Sequence, residues 1–200
     1  MDCIICNAGV LLNEKKLTSE GREVTIASHL IGGSYLLPTL LLPQLKAAGN
    51  ESRVVFTTSG GMYLTKMPSW DIATCTQSGQ KYDGVMAYSY AKRGQVLLAE
   101  RYANVHPEIT WISAHPGWTA TAAVDDAFGK DKAYLEPMRD VWQGAEGIAW
   151  VASVPKSKLE NGGLYLDRLP QKKHLPLIFT NTKNTESEID EFMSNLNSCV

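Results

Sequence analysis

Apolar residues in this chain fall into short continuous runs separated by glycine, proline and polar clusters, and run length sorts them into strands and helices. Asp2 to Cys6 is a strand-length run closed by an Asn7-Ala8-Gly9 turn. A polar approach, Leu17 to Gly21, leads into Glu23 to Leu45, which is rich in Leu, Ile and Ala and ends near Ala47-Ala48-Gly49-Asn50. Gly and Asn are good helix stops, so this stretch predicts one long, largely buried helix. Gly32 and Gly33 in its middle cost about 1 kcal/mol each against Ala. Close packing against a neighbouring element is the expected reason for them.

Arg53 to Thr58 is a β-branched strand broken by Ser59-Gly60-Gly61, and Met62 to Gly84 lacks periodicity, as a long functional loop does. A second helix is expected over Val85 to Tyr102 and a buried strand over Ile109 to Ala114, which turns out at His115-Pro116-Gly117. The irregular Trp118 to Arg139 stretch is expected as a mobile flap. A third helix, Gln143 to Ala152, leads through Gly162-Gly163 to a short strand, Leu164 to Asp167. From about Gln171 the chain is polar apart from His174 to Phe179. Residues 1–177 are therefore expected as the folded body and 178–200 as a polar tail in which a terminal helix is an option. Strands alternating with helices predict an α/β protein with a parallel sheet covered by helices. In such sheets ligands bind beyond the carboxyl ends of the strands, where Asn7, Ser59 and His115-Pro116-Gly117 would share one mouth.

Composition narrows the function classes. With 200 residues and 44% hydrophobic content the chain can bury the core of one domain. A net charge of −2 with 19 dispersed basic residues argues against a nucleic-acid partner. No apolar run reaches the ~18 to 20 residues of a membrane span, and Met1 leads directly into a strand rather than a secretory signal. Cys3, Cys6, Cys75 and Cys199 are too scattered for a disulfide framework, which points to a reducing compartment, with the cytoplasm as the default. Cys3 and Cys6 have CxxC spacing, but residues alternate between faces on a strand and no second pair follows at zinc spacing. No metal site is expected.

The clearest chemistry lies in Tyr88-Ser89-Tyr90-Ala91-Lys92, where helical spacing of four puts the phenol and the amine on one face. A phenol with a pKa of ~10 is a poor proton exchanger near neutrality, and a neighbouring ammonium favours its ionised form. Lys92 is thus expected to tune Tyr88. Ser59, at the end of a buried strand, can hydrogen-bond a carbonyl oxygen while Tyr88 exchanges the proton. Taken singly, YxxxK is more often a solvated helix face and Ser59 a turn serine; their occurrence together raises the functional reading.

Asn7-Ala8-Gly9, the Thr57-Thr58-Ser59-Gly60-Gly61 turn, YxxxK and His115-Pro116-Gly117 occur in the order and near the spacing of the short-chain dehydrogenase/reductase family, which nearly the whole chain to about Leu177 resembles. The resemblance implies a Rossmann-like, doubly wound parallel sheet, of which this chain would hold the C-terminal part, family strands 4 to 7 with their covering helices. It implies hydride transfer between NAD(P), with NADP the expected form in a full-length parent, and a carbonyl or alcohol. By the same resemblance Tyr88 is the acid/base, Lys92 its tuner and a ribose ligand, and Ser59 the substrate-orienting hydroxyl. Asn7, Ala8 and Gly9 would lie beside the cofactor, and Pro116, Gly117, Trp118 and Thr121 along the nicotinamide and its phosphates. The helices after the family's fourth and fifth strands commonly form a dimer face, so a homodimer is implied as an option.

Two departures from the family pattern stand out. Ser28-His29-Leu30 occupies the place where the family usually has an asparagine that holds a relay water, and serine cannot replace an amide's donor and acceptor together. His29 is the alternative relay group, although a histidine there is more often a packed helix residue. The Gly-rich turn that seats the dinucleotide pyrophosphate has no counterpart in the sequence, so the chain is expected to lack roughly 80 to 100 residues of a longer product and to be inactive as a dehydrogenase in this form. A non-catalytic interaction or dimerisation protein is the alternative. Trp118, Met62, Met67, Trp70 and Trp142 are candidates for an apolar pocket that would suit a lipid-like or aromatic carbonyl, or else for ordinary core.

Overall fold

A computed structural model describes residues 1–177 and 180–200. The expected junction between body and tail, and the end of the His174 to Phe179 run, fall on residues 178–179, outside the described residues. The chain begins with β1 (Cys3–Cys6) and then a helical rod made of α1 (Val24–Ile26), a π-helical segment (Ala27–Leu36), α2 (Leu37–Leu40) and α3 (Leu42–Ala47). There follow β2 (Arg53–Thr57), a 3-10 turn (Gly60–Tyr63), α4 (Trp70–Ala73), α5 (Gly84–Val105) and β3 (Thr110–Ala114). After these come α6 (Ala122–Phe128), a 3-10 segment (Gly129–Leu135), α7 (Val141–Ser153), β4 (Leu164–Leu166), β5 (Leu169–Gln171), β6 (Pro176–Leu177), β7 (Thr180–Asn181) and α8 (Glu186–Asn197).

Strands β1 to β5 form one sheet in sequence order. The first four are parallel, in register at Ile4 with Val54, Val54 with Trp111 and Ser113 with Leu164, and β5 folds back antiparallel on β4. Strands β2 and β3 are buried at every position, as strands covered on both faces are. One face packs under the helical rod, α5 and α8, around Leu30, Leu98, Phe56 and Trp111. The other packs under α7, around Val55, Ile112, Val151 and Tyr165. The doubly wound α/β expectation is met. Cys6 belongs to the first core while Cys3 packs against the second, and all four cysteines are free, so strand alternation separates the CxxC pair.

Three expectations about the elements need correction. The long helix is present, but its middle winds with five-residue spacing. Ser34 Oγ donates to the carbonyl of His29, five residues back, at 2.6 Å, and a Cβ on Gly33 would lie 2.5 Å from the carbonyl oxygen of Ser28. The nearest obstacle to a side chain at Gly33 is thus the helix's own widened turn, not a neighbouring element. The Trp118 to Arg139 stretch is mostly helical, and Arg139 pins it by a bidentate pair to Asp167 at the end of β4, with Nη2 to Oδ2 at 2.7 Å. The 178–200 segment is more than a polar tail. Its α8 opens with a capping box, Thr185 and Glu188, and buries Phe192 and Leu196 in the first core. Among the described residues no helix is long and apolar enough to cross a membrane, and no cluster of potential metal ligands occurs.

Candidate active site

A cleft of about 600 Å³ opens where the chain leaves the C-terminal ends of β1, β2 and β3. It is lined by Asn7 and Gly9 after β1, by Ser59 after β2, by Tyr88 and Lys92 of α5, and by Pro116, Gly117, Trp118 and Thr121 after β3. Every residue given a catalytic or cofactor-binding expectation from the sequence except Ala8 therefore lines one cleft. The pocket aromatics and sulfurs fare worse. Only Trp118 lines the cleft; Met62 and Met67 are buried in core, Trp70 packs against the first core, and Trp142 is 84% exposed. The apolar walls come instead from residues with no local signal, among them Val10, Leu64, Val85, Val124, Phe128 and Leu135.

Helix α5 carries the polar centre. Asp83 caps its start by accepting from the N–H of Met86 at 3.0 Å, and regular winding sets Tyr88 and Lys92 one turn apart. The Lys92 ammonium lies 5.3 Å from the centre of the Tyr88 ring, and its Nζ donates to the carbonyl of Thr57 at 2.6 Å. The Thr58 hydroxyl in turn donates to the carbonyl of Lys92 at 2.9 Å, so β2 and α5 are fastened together beside the cleft. Ser59 extends this junction: its Oγ accepts from the N–H of Gly61 at 3.3 Å and caps the 3-10 turn.

Burial dominates the electrostatics. It lowers Lys92 from the usual lysine value to about 7 and raises the Tyr88 phenol, with hydrogen bonding to Ser59 acting in the opposite direction on the phenol. The amine is itself desolvated and donates to the Thr57 carbonyl, while Ser59 Oγ shares the cleft with the phenol. His115, half-buried, is lowered to about 4 by desolvation first and the Arg139 charge second, and it accepts from the N–H of Gly117 at 3.2 Å.

His29 lines the same cleft and meets the Tyr88 ring edge-on at 5.3 Å between centroids. Burial first, and the Lys92 charge second, lower its pKa to about 3. Its Nε2 lies 2.8 Å from the N–H and 2.7 Å from the carbonyl of Val10. A Cβ on Gly9 would fall 1.8 Å from its Cε1. The glycine of the Asn7-Ala8-Gly9 turn is therefore required by the imidazole that fastens the loop. Ser28 does not face the problem of replacing an amide, because its hydroxyl donates back to the carbonyl of Val24.

No family model matches the sequence. Among curated proteins the chain is 35% identical, over 187 residues, to dehydrogenase/reductase SDR family member 12 of Homo sapiens; the match covers 92% of this chain and 57% of that protein. The chain thus spans little more than half the length of that relative. Among solved structures it superposes on a gluconate 5-dehydrogenase from Burkholderia cenocepacia J2315 in complex with NADP and tartrate, with TM-score 0.61 and 12% identity over 82% of this chain and 62% of the other. A carveol dehydrogenase from Mycobacterium avium in complex with NAD gives TM-score 0.57 and 19% identity, over 82% and 62% of the two chains. At these identities the two structures speak for the fold.

Proposed function

Because this chain belongs to the short-chain dehydrogenase/reductase family, we propose that its cleft is the acid–base and substrate half of an NAD(P)-dependent carbonyl reductase or alcohol dehydrogenase. The observation that carries the reading is the convergence of Ser59, Tyr88 and Lys92 on one cleft, with the ammonium 5.3 Å from the phenol ring. Ser59 orients the substrate oxygen by donating its hydroxyl hydrogen. Tyr88 gives its proton to that oxygen in reduction and takes it back in oxidation. When bound, the cofactor supplies the hydride.

A feature of Lys92 supports a sugar-bearing partner. An ammonium can donate three hydrogen bonds, and among the described residues Lys92 Nζ has one acceptor, the Thr57 carbonyl. Its remaining donors suit ribose hydroxyls, and the Pro116 to Thr121 turn lines the same cleft. The fit is to the nicotinamide–ribose end: among the described residues no strand, glycine-rich turn and helix combine into a pyrophosphate seat. The apolar walls favour a bulky, lipid-like carbonyl or alcohol over a small polar one.

The test is NADPH and NADH binding by thermal shift, followed by turnover of a panel of long-chain and aromatic ketones by a full-length parent. A cofactor at 100 times its Kd should stabilise the chain by about 2.7 kcal/mol, and Tyr88→Phe in the full-length parent should abolish reduction while leaving binding nearly intact. No shift at millimolar concentration of either nucleotide, or unchanged turnover in Tyr88→Phe, would overturn the assignment.

A further inference from the structure

Arg93 follows Lys92 on α5 and has no solvent exposure at all. Burying a guanidinium is costly unless its donors are satisfied. Here the donors go to backbone carbonyls of two loops. Nε and Nη2 both reach the carbonyl of Met62, at 3.0 and 2.7 Å, Nε also reaches that of Thr65 at 3.3 Å, and Nη1 reaches that of Lys173 at 2.9 Å. Glu100, the nearby carboxylate, is paired with Lys173 at 2.9 Å instead.

The placement of those carbonyls matters. The N–H of Met62 donates to the carbonyl of Ser59 at 3.1 Å, and Ser59 Oγ accepts from Gly61, so Ser59 to Met62 is one closed turn. Arg93 holds the far end of that turn and Ser59 is its near end. The helix that bears Tyr88 and Lys92 thereby also fixes the loop that bears Ser59.

We propose that Arg93 is the positioning residue that sets the Ser59 hydroxyl against Tyr88. This rests on the Ser59–Tyr88–Lys92 reading above. Arginine suits the task because a planar fork can bind several carbonyls at once, which a lysine point charge cannot.

The test is 19F NMR of the full chain labelled with 3-fluorotyrosine, whose more acidic phenol brings the titration into the folded range; Tyr88→Phe assigns the signal. Ser59→Ala should raise the Tyr88 midpoint, because it removes a hydroxyl that can donate to the ionised phenol across the shared cleft. Arg93→Lys should raise it in the same direction, and Arg93→Lys in the Ser59→Ala background should raise it no further. Where turnover is measurable, Arg93→Lys should lower kcat by about tenfold or more and leave NADPH affinity within about twofold.

An unchanged Tyr88 midpoint in Arg93→Lys, or a shift fully additive with Ser59→Ala, would overturn the proposal. Arg93→Gln serves as the milder variant. If both Arg93 variants unfold while Ser59→Ala folds, Arg93 is a determinant of the fold and the proposal fails. Coupled titration without turnover in the wild-type chain would leave Arg93 standing and sink the oxidoreductase reading; turnover without coupling would do the reverse.

Discussion

Lys92→Met isolates the energetics of the site in one substitution. The lysine is almost wholly buried, and burial takes its pKa from 10.5 to about 7. Between those two values the unfolded chain holds a proton that the folded chain has released. Lys92's share of the stability therefore rises with pH across this window, at about 1.4 kcal/mol per pH unit, or about 5 kcal/mol over the whole gap. It is complete above 10.5 and lost below about 7. Methionine keeps the unbranched stem, removes the titration, and leaves the Thr57 carbonyl without the ammonium it accepts from at 2.6 Å. That orphaned carbonyl costs about 1–3 kcal/mol at every pH, so it offsets the comparison without tilting it. The assay is urea unfolding of both proteins, followed by tryptophan fluorescence, from pH 6 to 9. The difference in stability should be flat below about pH 6.5 and then move toward the wild type, reaching about 3 kcal/mol at pH 9. Parallel curves across that range would show that Lys92 titrates as an ordinary surface lysine, and the desolvated-amine account would fall.

Other substitutions probe the loop and the C-terminal helix. Gly9→Ala places a Cβ 1.8 Å from His29 Cε1 and should cost about 1–3 kcal/mol by overpacking, a loss that chemical denaturation should find relieved in a His29→Ala background. His29 is lowered to about 3, so as pH falls from 6.5 toward 3 the unfolded chain takes up a proton first and the folded chain loses about 1.4 kcal/mol per unit. His29→Gln should flatten that slope between pH 6 and 4. Asn184 accepts from the N–H of Met67 at 2.9 Å and donates to its carbonyl at 2.8 Å. Asn184→Ala should therefore cost about 2 kcal/mol or more and speed proteolysis between 60 and 75. Phe192→Ala should cost about 3–5 kcal/mol; a change under 1 kcal/mol would mean that α8 is not part of the fold.

The motifs that carry chemistry were visible because each sits where local rules constrain the chain. Strands of buried β-branched residues end in turns that need Gly, Ser or Pro, and four-residue spacing on a helix puts Tyr88 and Lys92 together regardless of what surrounds them. The apolar walls were not visible. Leu64 and Val85 come from distant segments, while Val124, Phe128 and Leu135 lie close together after β3, and nothing in the local sequence joins the three segments into one wall. The tryptophans and methionines chosen in their place mostly fill core or face solvent. Helix α8 was legible and underread: Thr185 and Glu188 are a capping box followed by Ile189, Phe192, Met193 and Leu196 at helical spacing.

Alternation of strand and helix, the order of the turns and the one-turn spacing of Tyr88 and Lys92 follow from the amino-acid sequence alone, because period and spacing are properties of a single chain segment. What each group is worth comes from the folded molecule. Burial brings Lys92 near neutrality, raises the Tyr88 phenol, and presses His29 onto Gly9. Desolvation and close contact depend on atoms brought from distant parts of the chain, and no local pattern records them.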